Sequence, residues 1–123
     1  MNKLLPTLAA VLVFPNVLAQ SEPTPTVEMF LANCRADDND AHRAYCVGYL
    51  TGVAQEMEII GALAQGELRH RHGMCIDEPH GPTGRALADA FIKWAEKNPK
   101  ALTLHFQVGA VMALTDAWPC PEK

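Results

Sequence analysis

The stretch that decides the fold is "CVGYLTGVAQEMEIIGALA", residues 46–64. Cys46, Leu50, Val53, Met57, Ile60 and Ala64 recur there at steps of four, three, four, three and four, which lines apolar side chains along one stripe of an α-helix. Extended backward, the stripe reaches Asn39 or Asp40, either of which can accept the free backbone N–H groups of a helix N-terminus. The result is an amphipathic helix of about 25 residues, long for a small domain and therefore its central strut. Ala44, Gly48 and Gly52 repeat every four residues on an adjacent face. Each glycine weakens a helix by about 1 kcal/mol, so another helix backbone is expected to pack closely there in compensation.

Working outward, "QSEPTP" (residues 20–25) reads as a leader in which Thr24 and Pro25 can cap and open a first helix. "TVEMFLANC" (26–34) then carries Val27, Phe30, Leu31 and Cys34 at helical spacing and ends in the polar turn "RADDND" (35–40). From Gly66 to Gly84 the period is lost while Gly66, Gly73, Pro79, Gly81, Pro82 and Gly84 accumulate, which predicts a long connection. Thr83 can cap a third helix with Leu87, Phe91, Trp94 and Ala95 as its stripe, ending at "KNP" (97–99). Asn98 as cap and Pro99 at the first helical position predict a fourth helix, with Leu102 or Leu104, Val108, Val111, Met112 and Thr115 as its inner face. Pro119 and Pro121 stop it. No alternating β pattern and no repeat occurs, so the expected class is all-α: a small disulfide-stapled bundle of about four helices around one long central helix.

The N-terminus, "MNKLLPTLAAVLVFPNVLAQ", has a cation at Lys3, an apolar run from Leu4 to Val17, then Val17-Leu18-Ala19. That is the pattern of a secretory signal peptide, with cleavage expected after Ala19. The expected organisation is a signal peptide over residues 1–19 and one all-helical domain over residues 20–123. The apolar run is broken by Pro6 and Pro15 and is shorter than the roughly 20 helical residues that span a bilayer. No later segment is uniformly apolar, so no membrane span is expected. Taking Lys3 from the ten cations leaves nine against fourteen acids, a net charge of minus five. Such a domain does not suit nucleic acid, whose phosphates require a positive surface. All four cysteines, Cys34, Cys46, Cys75 and Cys120, follow the leader, and an even number in an exported chain implies two disulfides. Spacing alone does not separate the three possible connectivities.

Catalytic chemistry finds little support. Ser21 in the leader is the one serine, and neither G-x-S-x-G nor a phosphate-binding glycine loop is present. Glu56 and Glu58 are two apart on a helix and point to different sides, as solvated charges do. The stretch "LRHRHGMCIDEPH" (68–80) offers His70, His72, Cys75 and His80 as four nitrogen and sulfur donors, but with no familiar zinc spacing and with Cys75 required for a disulfide. The five histidines, His42, His70, His72, His80 and His105, could instead sense pH between about 5 and 8. On exposed loops they read as solvated side chains. No catalytic residue, metal or cofactor is expected.

The cysteine ending a short helix, then "YCVGYLTGV" (45–53), Cys75 followed by "IDEP" (76–79), a helix closing on "KNP", and "ALTDAWPCP" (113–121) form an ordered set. Together with the signal peptide, this set resembles the Rap/Tai family of type VI secretion immunity proteins over most of the chain. The resemblance implies a small helical periplasmic protein, usually a homodimer, that binds a secreted peptidoglycan amidase effector and occludes its cleft with protruding loops or helix ends. It implies no catalysis, in keeping with the missing nucleophiles; the acidic charge would steer a cationic cell-wall enzyme into contact. "PHGPTGRALADAF" and "RHRHG" depart from the usual family run. In the 66–84 connection the candidate contact residues are His70, Arg71, His72, Asp77, Glu78 and His80. Helix geometry pairs Cys34 with Cys46 across the "RADDND" turn, and antiparallel helices return Cys120 towards Cys75. The alternatives are an acid-responsive, chaperone-like periplasmic protein whose dimer loosens on protonation, and a histidine-rich metal-binding protein.

Overall fold

The computed structural model describes residues 22–122; the expected signal peptide and its cleavage site lie outside the described residues. Five helices follow one another: α1 (Val27–Cys34), α2 (Ala41–Leu63), α3 (Gly66–His72), α4 (Gly84–Lys97) and α5 (Phe106–Ala117), with a 3-10 turn at Pro99–Ala101 between the last two. α2 is the long element around which α1, α4 and α5 close, as the stripe beginning at Cys46 predicts.

Side-chain caps remove unpaired backbone N–H groups at the starts of α1, α2, α4 and α5. Asp40 accepts from the His42 N–H at 2.7 Å, and Thr83 from that of Ala86 at 3.1 Å. Thr26, rather than Thr24, caps α1 by accepting from Met29. The later start has a cause: Thr26 is extended (φ −100°, ψ 165°) and lies beside His105. The Val27 N–H donates to Leu104 O at 2.9 Å and the Phe106 N–H to Pro25 O at 3.2 Å, closing an isolated antiparallel bridge between Thr26 and His105.

The core takes Phe30 and Leu31 from α1, Leu50 and Met57 from α2, Leu87, Phe91 and Trp94 from α4, and Phe106 and Leu114 from α5. Phe30 meets Phe91 edge to face at 5.1 Å, an arrangement worth about 0.5–1.5 kcal/mol beyond the area buried. Disulfides join Cys34 to Cys46 and Cys75 to Cys120.

Four further sequence expectations are corrected. The 66–84 connection is not continuous loop, because its first seven residues form α3. Gly66, with φ +61°, opens that helix and Gly73 ends it, with no breaker between. Its side chains bury none of their number, so no apolar period could announce it. Second, Asn98 and Pro99 start only the 3-10 turn; α5 begins at Phe106 behind His105, whose Nδ1 accepts from the Gln107 N–H at 3.3 Å.

Third, the face of α5 turned inward is Phe106, Gly109, Ala110, Ala113 and Leu114, while Val108 and Met112 point outward and Val111 and Thr115 are half-buried. Gly109 explains this choice, since a Cβ there would collide with the Val27 side chain and crowd Trp94. The small residues let α5 approach α1 and α4 closely, so the bulky ones turn away. Fourth, Ala44, Gly48 and Gly52 are exposed, and among the described residues nothing lies within 4 Å of a Cβ added at either glycine. Close approach occurs instead at Gly61, Gly73, Gly84 and Gly109.

Candidate functional site

The segment that follows α2 is fastened to the rest of the molecule by backbone and disulfide together. The Met74 N–H donates to Met57 O on α2 at 2.9 Å, and the Cys75 N–H donates to Trp118 O beyond α5 at 3.2 Å. The Cys75–Cys120 disulfide closes the same junction covalently. Gly61 and Gly73 allow it, because a side chain at either would collide with the backbone of Met74 or Arg69.

Arg69 turns inward from α3 and satisfies three acceptors at once. Its Nε donates to Gly61 O at 2.9 Å, Nη1 to Pro121 O at 3.0 Å and Nη2 to Cys75 Sγ at 3.1 Å. The planar guanidinium, with donors fixed in a fork, suits such a three-way junction. Beside it, His70 Nδ1 is 3.0 Å from Cys120 O, which makes Nδ1 the protonated nitrogen, and Nε2 is 3.6 Å from Glu122. The Thr115 hydroxyl donates to Arg71 O at 3.4 Å, tying α3 to α5. Arg71 itself pairs with Glu67 one turn back at 2.8 Å.

The six candidate contact residues separate into two groups. His70, Arg71 and His72 are exposed in α3's last turn, with His70 reaching back to Cys120 O. Asp77, Glu78 and His80 are exposed at the tight turn after the disulfide, where the Gly81 N–H donates to Glu78 O at 3.3 Å and Gly81 adopts φ +66°. The first group stands opposite α5, and between them runs an open groove of about 910 Å³ whose other wall includes Val108, Val111, Met112 and Asp116. The acidic turn does not line it.

Sequence reasoning missed the α5 side of this groove, having placed Val108 and Met112 in the core. A signal was present: α5 is apolar around most of its circumference, so one of two candidate faces had to be outside. Phe106 also carries Tyr49 against it at 4.8 Å between rings. Burial pushes the Tyr49 phenol above its ordinary value, opposed by a hydrogen bond with Gln107 at the groove edge.

The histidine-rich stretch does not gather metal donors. Cys75 is spent in a disulfide, His70 is engaged by Cys120 O, and among the described residues no group of three or more His, Cys, Asp or Glu is placed to hold a metal ion. Among them, too, no helix is long and apolar enough to cross a membrane.

Residues 26–120 match the family of Rap1a immunity proteins, a span that takes in all five helices and both disulfides. The chain belongs to the Rap1a immunity protein family. No curated protein and no solved structure matches it. Rap1a immunity proteins are non-enzymatic inhibitors, and membership implies binding to a type VI secretion effector. The two disulfides of this Rap1a protein fit an extracytoplasmic location, since cytosolic reductants keep such thiols apart.

Proposed function

We propose that this Rap1a protein acts in the periplasm, where it binds a peptidoglycan amidase effector delivered by type VI secretion and occludes its cleft, sparing the producing cell. Residues 1–19 would direct export and residues 20–123 form the inhibitory domain. The observation that carries the reading is the family match over residues 26–120, read with an exposed segment after α2 that is fastened to the rest of the molecule. Arg69 and the Cys75–Cys120 disulfide hold α3 and the 77–80 turn in place before any partner arrives. An inhibitor preorganised in this way loses little conformational entropy on binding.

His70, Arg71, His72, Asp77, Glu78 and His80 supply the first contacts in this reading. The acting unit is a homodimer. Support for that comes from the outer face of α2, where Ala44, Gly48 and Gly52 leave a smooth surface beside Ile59, 59% exposed, and Leu63, 80% exposed. Unoccupied apolar surface of this kind favours association.

A periplasmic rescue assay tests the function. Cells exporting the amidase effector should survive when this chain is co-expressed with its own leader and lyse without it. Lysis in both cases would contradict the reading. Charge reversal at Asp77 and Glu78 together should weaken effector binding while leaving the helical circular dichroism signal unchanged; unaltered affinity would remove the 77–80 turn from the contact surface.

A further inference from the structure

α5 carries two apolar faces and buries only one. Phe106, Ala110, Ala113 and Leu114 fill the core, while on the opposite side Val108 is 50% and Met112 46% exposed. A helix apolar around its circumference is ordinarily enclosed on every side, yet among the described residues nothing covers this face. It is not a flat surface either. The last turn of α3 stands across from it, joined to it by the Thr115–Arg71 hydrogen bond, and the two enclose the groove of about 910 Å³.

The walls of the groove differ in charge. The chain as a whole carries minus four, but α3's last turn concentrates Arg69, His70, Arg71 and His72. Arg69 is consumed by internal acceptors and His70 is held by Cys120 O beside Glu122, which leaves Arg71 and the His72 imidazole on the groove side, with Asp116 on the facing wall. Among the described residues the Arg71 guanidinium pairs with Glu67, the two side chains being 68% and 73% exposed. Exposed pairs of this kind are weak, so the guanidinium is free to exchange Glu67 for an incoming carboxylate, which it can bind through two parallel N–H donors.

We propose that the α3–α5 groove receives a segment of the amidase effector in which an apolar side chain stands next to a carboxylate. The apolar side chain rests on Val108, Val111 and Met112; the carboxylate faces Arg71 and His72. This rests on the function proposed above and adds to it a second contact surface, apart from the 77–80 turn, with a defined chemistry. Arginine is enriched among binding hot spots, and Arg71 stands at the lip of the apolar wall.

Titration calorimetry of the oxidised, exported chain against the purified amidase effector of the same cell tests the groove. Val108→Asp and Met112→Asp, both at exposed positions, should each weaken binding by about tenfold or more, with helix content and disulfides retained. Arg71→Glu should weaken it and steepen the loss with salt, while Asp116→Asn should leave binding unchanged or tighten it. If the wild-type chain binds and Val108→Asp and Met112→Asp stay within twofold of it, the groove proposal is overturned and the immunity function stands. If Arg71→Glu tightens binding, the occupant is basic and the proposal is wrong. If the two aspartate variants lower the mass measured by light scattering without changing effector affinity, the groove belongs to a second copy of this chain, which also overturns it. A wild-type chain that does not bind the amidase removes the function proposed above, and this inference with it.

Discussion

Gly61 on α2 and Met74 after α3 meet backbone to backbone: a Cβ on Gly61 would collide with the Met74 carbonyl oxygen, and the Met74 N–H is already bonded to Met57 O at 2.9 Å. Neither partner is a flexible side-chain end that could swing aside. Gly61→Ala should therefore destabilise the domain by about 1–3 kcal/mol, as overpacking does. Gly48→Ala and Gly52→Ala should do the reverse, each adding about 0.5–1 kcal/mol, because open space surrounds both and alanine is the better helix former. Urea unfolding of the three variants checks the contrast. If α2's outer face is the dimer contact, the two stabilising substitutions will also weaken self-association.

Arg43 is the buried charge of the described chain, with its side chain 10% exposed. It donates to the Cys34 carbonyl, lies 3.6 Å from Asp38 and 3.9 Å from Asp89, and so ties the end of α1, the following turn and α4 to α2. Arg43→Met would leave that carbonyl without its charged donor and should cost about 2 kcal/mol. Arg85→Met breaks the 2.6 Å pair with Asp38 at the surface and should cost less than about 1 kcal/mol. A loss at Arg85 equal to that at Arg43 would contradict this ranking, with chemical denaturation as the measurement.

Two groups have shifted titrations with opposite pH senses. Asp40 accepts the His42 backbone N–H first and its imidazole second, which holds the carboxyl below its ordinary value of 3.8. A lowered folded value means stability present above about pH 4 and lost as pH falls through it. Asp40→Ala should flatten the acid limb of a melting-temperature profile. Tyr49 has the opposite sense for a different reason: burial raises it above 10.0, so its contribution is present below about pH 10 and lost as pH rises beyond that. Absorbance at alkaline pH should show one of the two tyrosines ionising late, and Tyr49→Phe should remove that phase.

The disulfides should differ in what they contribute. Cys34–Cys46 spans 12 residues and Cys75–Cys120 spans 45. In the chain-entropy treatment these are worth about 3 and about 4 kcal/mol. Removal of the second pair as a Cys75→Ser, Cys120→Ser double variant should therefore lower stability more. It should also release α3, which hydrogen exchange at residues 66–72 would report as lost protection, while the Cys34 and Cys46 double variant leaves those amides protected.

The sequence showed α2 and α4 clearly because each buries one regular stripe and has a side-chain cap, Asp40 and Thr83. The cysteine pairs were legible from which helix ends must meet. α3 was hidden because a helix that buries no side chain has no period to read; it is held by tertiary bonds from Arg69, His70 and Thr115 and by the Cys75–Cys120 junction that follows it. The face of α5 was misread because Val108 and Met112 look more like core than Gly109, Ala110 and Ala113. Packing favoured the small residues, since Gly109 alone gives Val27 and Trp94 room. That one rotation is what places an apolar wall beside the cationic turn of α3.

The most direct test of the account is inhibition itself. Purified peptidoglycan should be digested by the amidase effector with increasing amounts of the oxidised chain present. Hydrolysis should fall to background at one equivalent of inhibitor chain, with no change in the chain's own covalent structure. Full hydrolysis at a tenfold excess, with the disulfides intact, would contradict it.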